Sequence, residues 1–517
     1  MRPRLALFVA AIVLYGMGIG WGIPETEPRE RPDSWATDEL APAGLLEEIA
    51  NTLYFHSGVY NPKYPFFAYV IQGIPTLPYY VASAGLDATK ARTLAVARPT
   101  AYLARATTVL LAAATCLVAW ETAAVLWGPG AGWIAGLLTL LFPPMFYYGR
   151  TTNVDGPALF FTAVALWQFA LILRDGLNRT NARWLAISAA LAIATKDTAF
   201  GAIVPAGIIV VVLEWKRNRT LLLRTGLLSG ALYLVASGLV FSPGRYWQHI
   251  QFIRFGSTRH YGFHYGSTQP YWQVFTTAAG FVLEQLGVLV ALLVAAGIAL
   301  CWRSRPKLLL WIIPALGVVL LTILPARFVL YRFPIVTSYL LLFFAAFALQ
   351  RAYEWRRAAG LLLVMLASAH QLARAVDITW LMWHDSRYEA GAWLARNAHG
   401  GERIGYYGTE PNKLPFTDPA IGLEPGPSAL PAANAPEFLI VIPYQNYERV
   451  HEYNLPEETY QAMRSGSAGY RQILGIQTAP LLFYRPSLAL NPPVKIFVRD
   501  DKLAALADRT PRITVPD

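Results

Sequence analysis

The stretch GAGWIAGLLTLLFPPMFYYGRTTNVDGPALFFTAVALWQFALIL, residues 130–173, decides the fold class of this chain. It contains two apolar segments, 130–148 and 155–173, which are separated by the polar residues from Arg150 to Asp155. Each segment has the length with which a helix crosses a bilayer, about 17–25 residues. Because similar segments recur along the chain, the sequence predicts a polytopic membrane protein with its polar residues concentrated where the crossings end.

Composition supports the same class. Of the 517 residues, 55% are hydrophobic and 15% are charged, whereas soluble globular proteins carry about 25% charged residues. The net charge of +11 is divided among short basic clusters between apolar segments, which is typical of membrane topology and not of a nucleic-acid-binding face. Cys116 and Cys301 are the two cysteines, so no disulfide framework and no zinc spacing is predicted.

Twelve apolar segments precede residue 384, and basic clusters decide which of them cross. They are 5–23, 66–84, 100–126, 130–148, 155–173, 183–196, 198–215, 222–242, 275–302, 307–325, 328–350 and 357–380. Segment 66–84 contains Gln72, Pro75 and Pro78 and is predicted to be an interfacial helix on the outer face. With that segment excluded, the basic clusters all become cytoplasmic. Eleven crossings follow, the first a retained anchor and not a signal peptide because it lacks a small-x-small cleavage site.

Residues 384–517 have a different composition, mixed polar and apolar with Pro- and Gly-containing loops. A helix is predicted over Ser386–Ala398, and strands are predicted over 403–407, 438–442, 480–484 and 494–498. The chain is therefore predicted to have a transmembrane domain, residues 1–383, and a small soluble α/β domain, residues 384–517. The crossing parity places that second domain outside the cytoplasm.

The predicted number of crossings also places several ionisable residues on the outer face. A charged residue beside the hydrocarbon core is a functional candidate, because a charge there is energetically costly. They are the carboxylates Asp38, Glu39 and Asp155, the cations Arg150, Lys196 and Arg327, and Arg254, Arg259, His260 and His264 in a loop rich in aromatic residues.

Each candidate also has a purely structural alternative. Asp38 and Glu39 can cap or solvate a loop helix, and Asp155 can cap the following crossing. Arg150 can extend to the headgroups, and Lys196 can pair with Asp197. The loop with the two histidines can be an interfacial aromatic belt, or their four-residue spacing can indicate a metal pair, although no Glu stands between them.

Four stretches, in this order, resemble the GT-C glycosyltransferases, and specifically the branch of dolichyl-phosphate-mannose protein mannosyltransferases and aminoarabinose lipid A transferases. They are Asp38-Glu39, the run NPKYPFF at 61–67, Tyr148-Gly-Arg150 with Asp155 and Phe160-Phe161, and the run RFVLYRFP at 327–334. Thr195-Lys196 is similar to a further pair of the family. Tyr64 and Gly149 depart from the family pattern, which has His and Ser there. Lys63, Tyr64, Tyr331 and Arg332 lie in these stretches and join the predicted substrate-binding residues.

The resemblance implies an all-α GT-C transmembrane fold with outer interfacial helices. It also implies transfer of a sugar from a polyprenyl-phosphate carrier to a lipid, glycan or protein acceptor outside the plasma (inner) membrane. The lipid-linked donor, the acceptor and membrane lipids are the expected partners, and nucleic acid is not. No cofactor is implied, and the use of a divalent metal stays open.

Glycosyl transfer needs a base for the acceptor proton and cations for the departing phosphate. Asp38 is predicted to be the base, with Glu39 orienting it or lining the site. Asp155 is predicted to position the acceptor or a cation, with Arg150 as a candidate partner. Lys196 and Arg327 are predicted phosphate ligands, since the positive-inside rule disfavours cations on the outer face.

Two other classes compete with an enzyme. A secondary transporter would show repeated, broken helices with acids near the middle of crossings, whereas the acids here lie at predicted outer ends. A non-catalytic membrane scaffold with an outer binding domain would not need carboxylates and cations to converge.

Overall fold

The computed structural model describes residues 2–23, 34–36, 38–56, 58, 60–85, 87, 90, 93–256, 269–408, 414–415, 421–427, 430, 435–442, 455–488 and 490–507. These residues form two compact units. The membrane unit consists of Met1–Ile19, Pro42–Ala82 and Tyr102–Val376, and the sheet unit consists of Gly20–Ala41, Ser83–Ala101 and Asp377–Asp517. Residues 20–41 and 83–101, assigned by the sequence to the transmembrane domain, thus cluster with the C-terminal residues.

Helices dominate the first 383 residues. They are α1 (Arg2–Gly16), α2 (Pro42–Ala50), α3 (Phe66–Gly73), α4 (Leu77–Ala84), α5 (Leu94–Trp127), α6 (Pro129–Leu140), α7 (Met145–Tyr148), α8 (Asp155–Asp175), α9 (Arg179–Thr195), α10 (Phe200–Ala236), α11 (Pro243–Gln251), α12 (Tyr271–Leu286), α13 (Val288–Ser304), α14 (Ile312–Val318), α15 (Leu324–Ala326), α16 (Ile335–Trp355) and α17 (Arg357–Trp383).

The prediction of a multi-span helical membrane protein is confirmed. Among the described residues, six helical stretches are long and apolar enough to cross a bilayer: Leu94–Trp127, Asp155–Asp175, Asp197–Ala236, Pro306–Ala326, Ile335–Trp355 and Arg357–Asn397. A seventh is added if α12 and α13, which meet at an angle of 103°, count as one broken span.

This number is smaller than the eleven predicted crossings, for three structural reasons. The predicted crossing 183–196 corresponds to α9, a 17-residue helix that contains Arg179 and Arg183, and it is not among the long apolar stretches. The apolar helices α1 and α6 have 15 and 12 residues, which is shorter than the roughly 17–25 residues that a straight crossing needs. The predicted crossings 198–215 and 222–242 form the single 37-residue helix α10, with one non-helical residue, Asn218, inside it.

Segment 66–84 is a broken helix. A 3₁₀ turn at Ile74–Thr76 joins α3 to α4, and Pro75 in that turn has no backbone N–H to continue an α-helix. The side chain of Gln72 is fully buried, and its amide donates to the carbonyl oxygen of Asn153 at 3.3 Å. The polar residue that disfavoured a lipid-facing helix therefore points into the protein.

The sheet unit contains a five-stranded mixed sheet. Its strands are β1 (Arg403–Tyr407), β2 (Gly422–Pro425), β3 (Phe438–Val441), β4 (Tyr470–Ile476) and β5 (Val494–Arg499). Their spatial order is β2-β1-β3-β5-β4. Strand β1 runs parallel to β2 and β3, and β5 is antiparallel to both β3 and β4. Helices α18 (Ser386–Asn397), α19 (Glu457–Ser465) and α20 (Asp500–Ala507) accompany the sheet.

The side chains of β3 point alternately to the two faces of the sheet and belong to a buried core on each face. Phe438 and Ile440 belong to one buried cluster, and Leu439 and Val441 belong to the other. The strand is buried at all four positions, as expected for a central strand covered on both faces. The predicted helix at 386–398 and three of the four predicted strands are confirmed, and β2 and β4 were not predicted.

The predicted strand at 480–484 is wrong. Residues 481–483 form a bend without ladder partners. The carboxylate of Asp377 accepts the backbone N–H groups of Leu482, Phe483 and Tyr484 at 2.7, 2.9 and 2.7 Å. Three successive N–H groups that converge on one carboxylate cannot alternate in direction as a strand requires.

Candidate functional site

A cavity of about 410 Å³ in the membrane unit gathers several of the predicted substrate-binding residues. Its wall is formed by Lys63, Tyr64, Lys196, Asp197, Thr198, Phe200, Phe252, Ile253, Arg254, Leu321, Thr322, Pro325, Ala326, Phe328, Arg332 and Phe333. Four of these side chains are cations, one is a carboxylate, and most of the others are apolar. The cavity therefore suits an anion that carries an apolar group.

Lys196 reaches the cavity because the chain leaves the helical conformation there. It follows the last residue of α9 with extended dihedral angles, φ −153° and ψ 122°, before a 3₁₀ turn at Asp197–Ala199. Its ammonium lies 2.5 Å from a carboxylate oxygen of Asp155, and the two side chains are only 11% and 5% exposed. The other oxygen of Asp155 is buried and makes no hydrogen bond. The ion pair thus joins the start of α8 to the cavity wall.

Asp155 does not act as the N-cap of α8. It is the first residue of α8, Val154 occupies the cap position, and no side chain closes the helix start. A carboxylate in the first turn still interacts favourably with the positive end of the helix dipole. The helix start and Lys196 thus both present positive charge to this carboxylate.

Two of the cations approach one aromatic ring. Lys196 and Arg332 lie 5.7 and 5.8 Å from the centroid of the Phe333 ring, and all three residues line the cavity. Like charges that share one ring repel each other, and an anion bound between them would relieve that repulsion.

The loop that carries Lys63 and Tyr64 is held by a buried ion pair. Arg245 on α11 contacts Glu48 on α2 at 2.6 Å, and their side chains are 0% and 5% exposed. Arg245 also donates to the carbonyl oxygen of Tyr64 at 3.0 Å. Glu48 accepts the backbone N–H of Asn61 at 2.9 Å. The pair thus fixes both ends of the 61–64 loop.

His249, one helical turn after Arg245, connects the same loop to Asp197. One ring nitrogen lies 2.6 Å from the carbonyl oxygen of Pro62, and the other lies 3.1 Å from the Asp197 carboxylate. Both partners are acceptors, so this geometry needs the doubly protonated ring. Burial lowers the pKa of His249, but the hydrogen bond and charge of Asp197 outweigh it, and the pKa is raised above its ordinary value.

Arg327 and Tyr331, both predicted from the 327–334 run, do not line the cavity. Arg327 has a left-handed backbone, φ 56°, and its guanidinium donates to the carbonyl oxygen of Gln269 at 3.2 Å and lies over the ring of Tyr271. Tyr331 is buried, and its carbonyl oxygen accepts the amide of Gln285. The neighbours Ala326 and Phe328 line the cavity, so Arg327 stands directly beside its wall.

Arg150 is buried away from that wall. It is fully buried and donates to the carbonyl oxygen of Leu14 on α1 at 2.9 Å. A Cβ at Gly18 would collide with its guanidinium, so the absence of a side chain at Gly18 gives Arg150 its space. The carboxylate of Asp155, for which Arg150 was a candidate partner, is paired with Lys196.

Asp38 and Glu39 belong to the sheet unit, where a buried cluster fixes the preceding residues. Trp35 is 1% exposed, and the guanidinium of Arg387 lies 4.0 Å from its ring centroid. Arg387 in turn pairs with buried Asp385 at 2.8 Å. Asp38 is half-buried and has φ 63°, a left-handed conformation that Asp adopts more readily than most residues.

Arg259, His260 and His264 lie outside the described residues. The predictions of sugar or phosphate contacts and the metal alternative for the two histidines therefore stay predictions. Arg254, in the same loop, lines the cavity.

Sequence reasoning missed Glu48, Arg245 and His249. The available signal was on α11, where Arg245 and His249 are four residues apart and therefore share a helix face. Glu48 offered no comparable signal, because its partner lies 197 residues later in the chain.

Residues 93–247 match a family described as dolichyl-phosphate-mannose-protein mannosyltransferase. The family resemblance is confirmed for this segment. It is well under half of the 517 residues, and it contains Asp155, Lys196 and Arg245 but ends before His249 and Arg254.

The fold is similar to several solved structures. ArnT from Cupriavidus metallidurans in the apo state is 12% identical, with 96% of this chain and 98% of that chain covered and a TM-score of 0.49. ArnT bound to undecaprenyl phosphate is 14% identical, with coverages of 95% and 97% and a TM-score of 0.46.

The Archaeoglobus fulgidus oligosaccharyltransferase, in complex with Zn and sulfate, is 13% identical with a TM-score of 0.44. The alignment covers 80% of this chain, which spans only 59% of that enzyme. No curated protein sequence matches the chain. Because these TM-scores are below 0.5, function is inferred from the cavity and the family segment instead.

Proposed function

We propose that this protein is an integral membrane glycosyltransferase that takes a sugar from a polyprenyl-phosphate carrier and transfers it to an acceptor outside the cytoplasm. The observation that carries this proposal is the cavity wall, where Lys63, Lys196, Arg254 and Arg332 face one space and Asp197 is the one carboxylate among the described lining residues. A carrier phosphate would bind this excess of positive charge. The apolar part of the wall would accept the first isoprene units of the carrier.

The cations would also promote the reaction. When the bond between sugar and phosphate breaks, negative charge develops on the departing phosphate, and cations already in place stabilise the transition state more than the ground state. Lys196 is held by Asp155 before the donor arrives. Little side-chain entropy is then lost when it binds the phosphate.

Asp155 would hold Lys196 in position, because its carboxylate lies 2.5 Å from the ammonium. The second oxygen of Asp155, which makes no hydrogen bond, is available to an acceptor hydroxyl. This role combines the two that the sequence predicted for Asp155, positioning a cation and positioning the acceptor.

Asp38 is proposed as the general base and Glu39 as its supporting carboxylate. The support is the family motif and the fixed position of Trp35, three residues earlier, against Arg387. Arg327, which stands beside the cavity wall, is proposed as a further ligand of the carrier phosphate. Residues 384–517 are proposed to lie outside the cytoplasm.

Turnover with defined donors tests the reaction and the base together. Purified protein in nanodiscs is incubated with a panel of polyprenyl-phosphate sugars and candidate acceptors, and products are identified by mass spectrometry. At least one donor should lose its sugar, and Asp38→Asn should reduce the rate by about 10²–10⁴-fold with the fold intact.

Asp87→Asn, at an exposed loop position, serves as the matched control and should keep the wild-type rate. No consumption of any donor in the panel would contradict the proposed reaction. Normal turnover by a folded Asp38→Asn variant would instead remove Asp38 from the role of base and leave the reaction standing.

A further inference from the structure

The sheet unit carries a loop whose apolar side chains point outward. Leu481, Leu482 and Phe483 are consecutive and are 51%, 55% and 59% exposed. Single exposed apolar residues are ordinary, but a contiguous apolar group on a surface marks a contact with another apolar phase. The residues on either side differ, since Tyr484 is buried and Arg485 is exposed and charged.

This loop is anchored to the end of a membrane helix. Asp377, on α17, is fully buried and accepts the N–H groups of Leu482, Phe483 and Tyr484. On the N-terminal side, the hydroxyl of Thr478 donates to the carbonyl oxygen of His384, just after α17. The apolar side chains are therefore presented by a fixed backbone at a fixed height along α17.

That height can be derived from helix geometry. Asp377 follows Arg357, the first residue of α17, by twenty positions. At about 1.5 Å per residue, the two lie about 30 Å apart along the axis, which equals the thickness of the hydrocarbon core. With Arg357 at one boundary of the bilayer, Asp377 and the loop that it holds lie at the other.

The exposed residues of α17 agree with this placement. Leu361, Leu362, Met365 and Leu366 are about half exposed along the helix, as is expected of side chains that face lipid. Trp383, 50% exposed, lies beyond Asp377, where aromatic residues favour the interface. Leu481, Leu482, Phe483 and Trp383 are thus exposed apolar residues of the sheet unit, and the exposed, charged Arg485 follows Phe483 by two positions.

We propose that the 481–483 loop inserts its three apolar side chains among the acyl chains at the bilayer surface and fixes the sheet unit to the membrane. The occupant of this surface is lipid. Buried apolar area together with an adjacent cation is the combination that binds proteins to membrane interfaces. The proposal concerns the attachment of the sheet unit and stands whether or not the protein transfers a sugar.

An environment-sensitive label on the loop tests the proposal in the full-length protein. Cys116 and Cys301 are both buried, so a maleimide-NBD probe should label a cysteine introduced as Leu482→Cys, with unmodified protein as the background control. The matched position is Ser467→Cys, which is exposed in the same unit. In nanodiscs, lipids with a nitroxide near the headgroup should quench the label at position 482 at least about twofold more than at position 467.

Equal quenching at the two positions would overturn the proposal. Protection of the label at position 482 from aqueous iodide without quenching by the lipids would also overturn it. In that case a protein partner or a second copy of the chain would cover the loop. A further variant tests the anchor, since Asp377→Asn should reduce the quenching at position 482. Asp501→Asn, an exposed carboxylate in the same unit, should not change it.

Discussion

Two short ion pairs in the membrane unit have similar geometry and different surroundings. Arg245 and Glu48 are 2.6 Å apart, and Lys196 and Asp155 are 2.5 Å apart. Arg245 is enclosed by Glu48, a backbone carbonyl and the rings of Phe66 and Tyr69. Lys196 instead lines an open cavity together with three other cations.

On the proposed function, this difference separates a structural ion pair from one that binds the donor. Arginine suits the enclosed position because its planar guanidinium can hold a carboxylate, a carbonyl and aromatic faces at the same time. A lysine on a cavity wall is a compact point charge with three donors, so it can keep its contact with Asp155 and still bind a second anion from the cavity. Distance alone would therefore assign the same role to both pairs, and their surroundings assign different roles.

The largest expected effect is on stability, at the enclosed pair. Arg245→Met should leave Glu48 buried without its cation and lower the free energy of unfolding by about 3–5 kcal/mol. Denaturant or thermal unfolding in detergent measures this, with Arg464→Met, on α19 in the sheet unit, as the control. An Arg245→Met variant as stable as the wild type would erase the contrast between the two pairs.

A smaller effect is expected from the cavity pair, and it should appear in turnover. Lys196→Met should lower the rate by about 10²-fold through lost charge stabilisation, and the rate is compared on folded protein because Asp155 is left buried without its cation. Asp155→Asn should also lower it, and the double variant should show a coupling of about 0.5–3 kcal/mol between the two residues. Rates of the two single variants and the double variant give this value. Strict additivity would mean that Asp155 does not act through Lys196.

The smallest expected effect is a pH dependence at His249. Because its folded pKa is raised, its stabilising contribution is complete below the unfolded pKa of about 6.5 and is lost as pH rises through the folded pKa. One proton limits the slope to about 1.4 kcal/mol per pH unit. Thermal unfolding from about pH 6 to 9 should show this loss in the wild type.

His249→Phe should remove that part of the pH dependence, whereas His399→Gln, at an exposed site, should retain it. A wild-type profile that is identical to that of His249→Phe would mean that the link between Pro62, His249 and Asp197 does not depend on an imidazolium.

The sequence predicted the membrane class and many members of the cavity wall, because both depend on local patterns. Lys63, Tyr64, Lys196, Arg254 and Arg332 stand in short motifs or at segment ends, and all five line the cavity. The polar residues around segment 66–84 likewise marked it as different from a lipid-facing crossing.

The rest depended on contacts between distant parts of the chain. The partner of Asp155 is 41 residues away and that of Glu48 is 197 residues away, and no local pattern encodes such pairings. The apolar run at 481–483 has the composition of a strand and was predicted as one. Its bent conformation is determined by the carboxylate of Asp377, which lies 105 to 107 residues earlier in the chain. The positive-inside rule marked Arg327 as an unexpected cation on the outer face. In the structure, its guanidinium contacts Gln269 and Tyr271.

Binding of the carrier to the cavity is the most direct test of the central claim. Undecaprenyl phosphate is titrated against the purified wild type, Lys196→Met and Lys216→Met, the last an exposed lysine on α10, and binding is followed by native mass spectrometry. Wild type and Lys216→Met should bind equally, Lys196→Met should bind at least about tenfold more weakly, a difference of about 1.4 kcal/mol, and unphosphorylated undecaprenol should bind poorly to all three. Equal binding by Lys196→Met, or equal binding of the alcohol and the phosphate, would contradict the assignment of this cavity to the carrier phosphate.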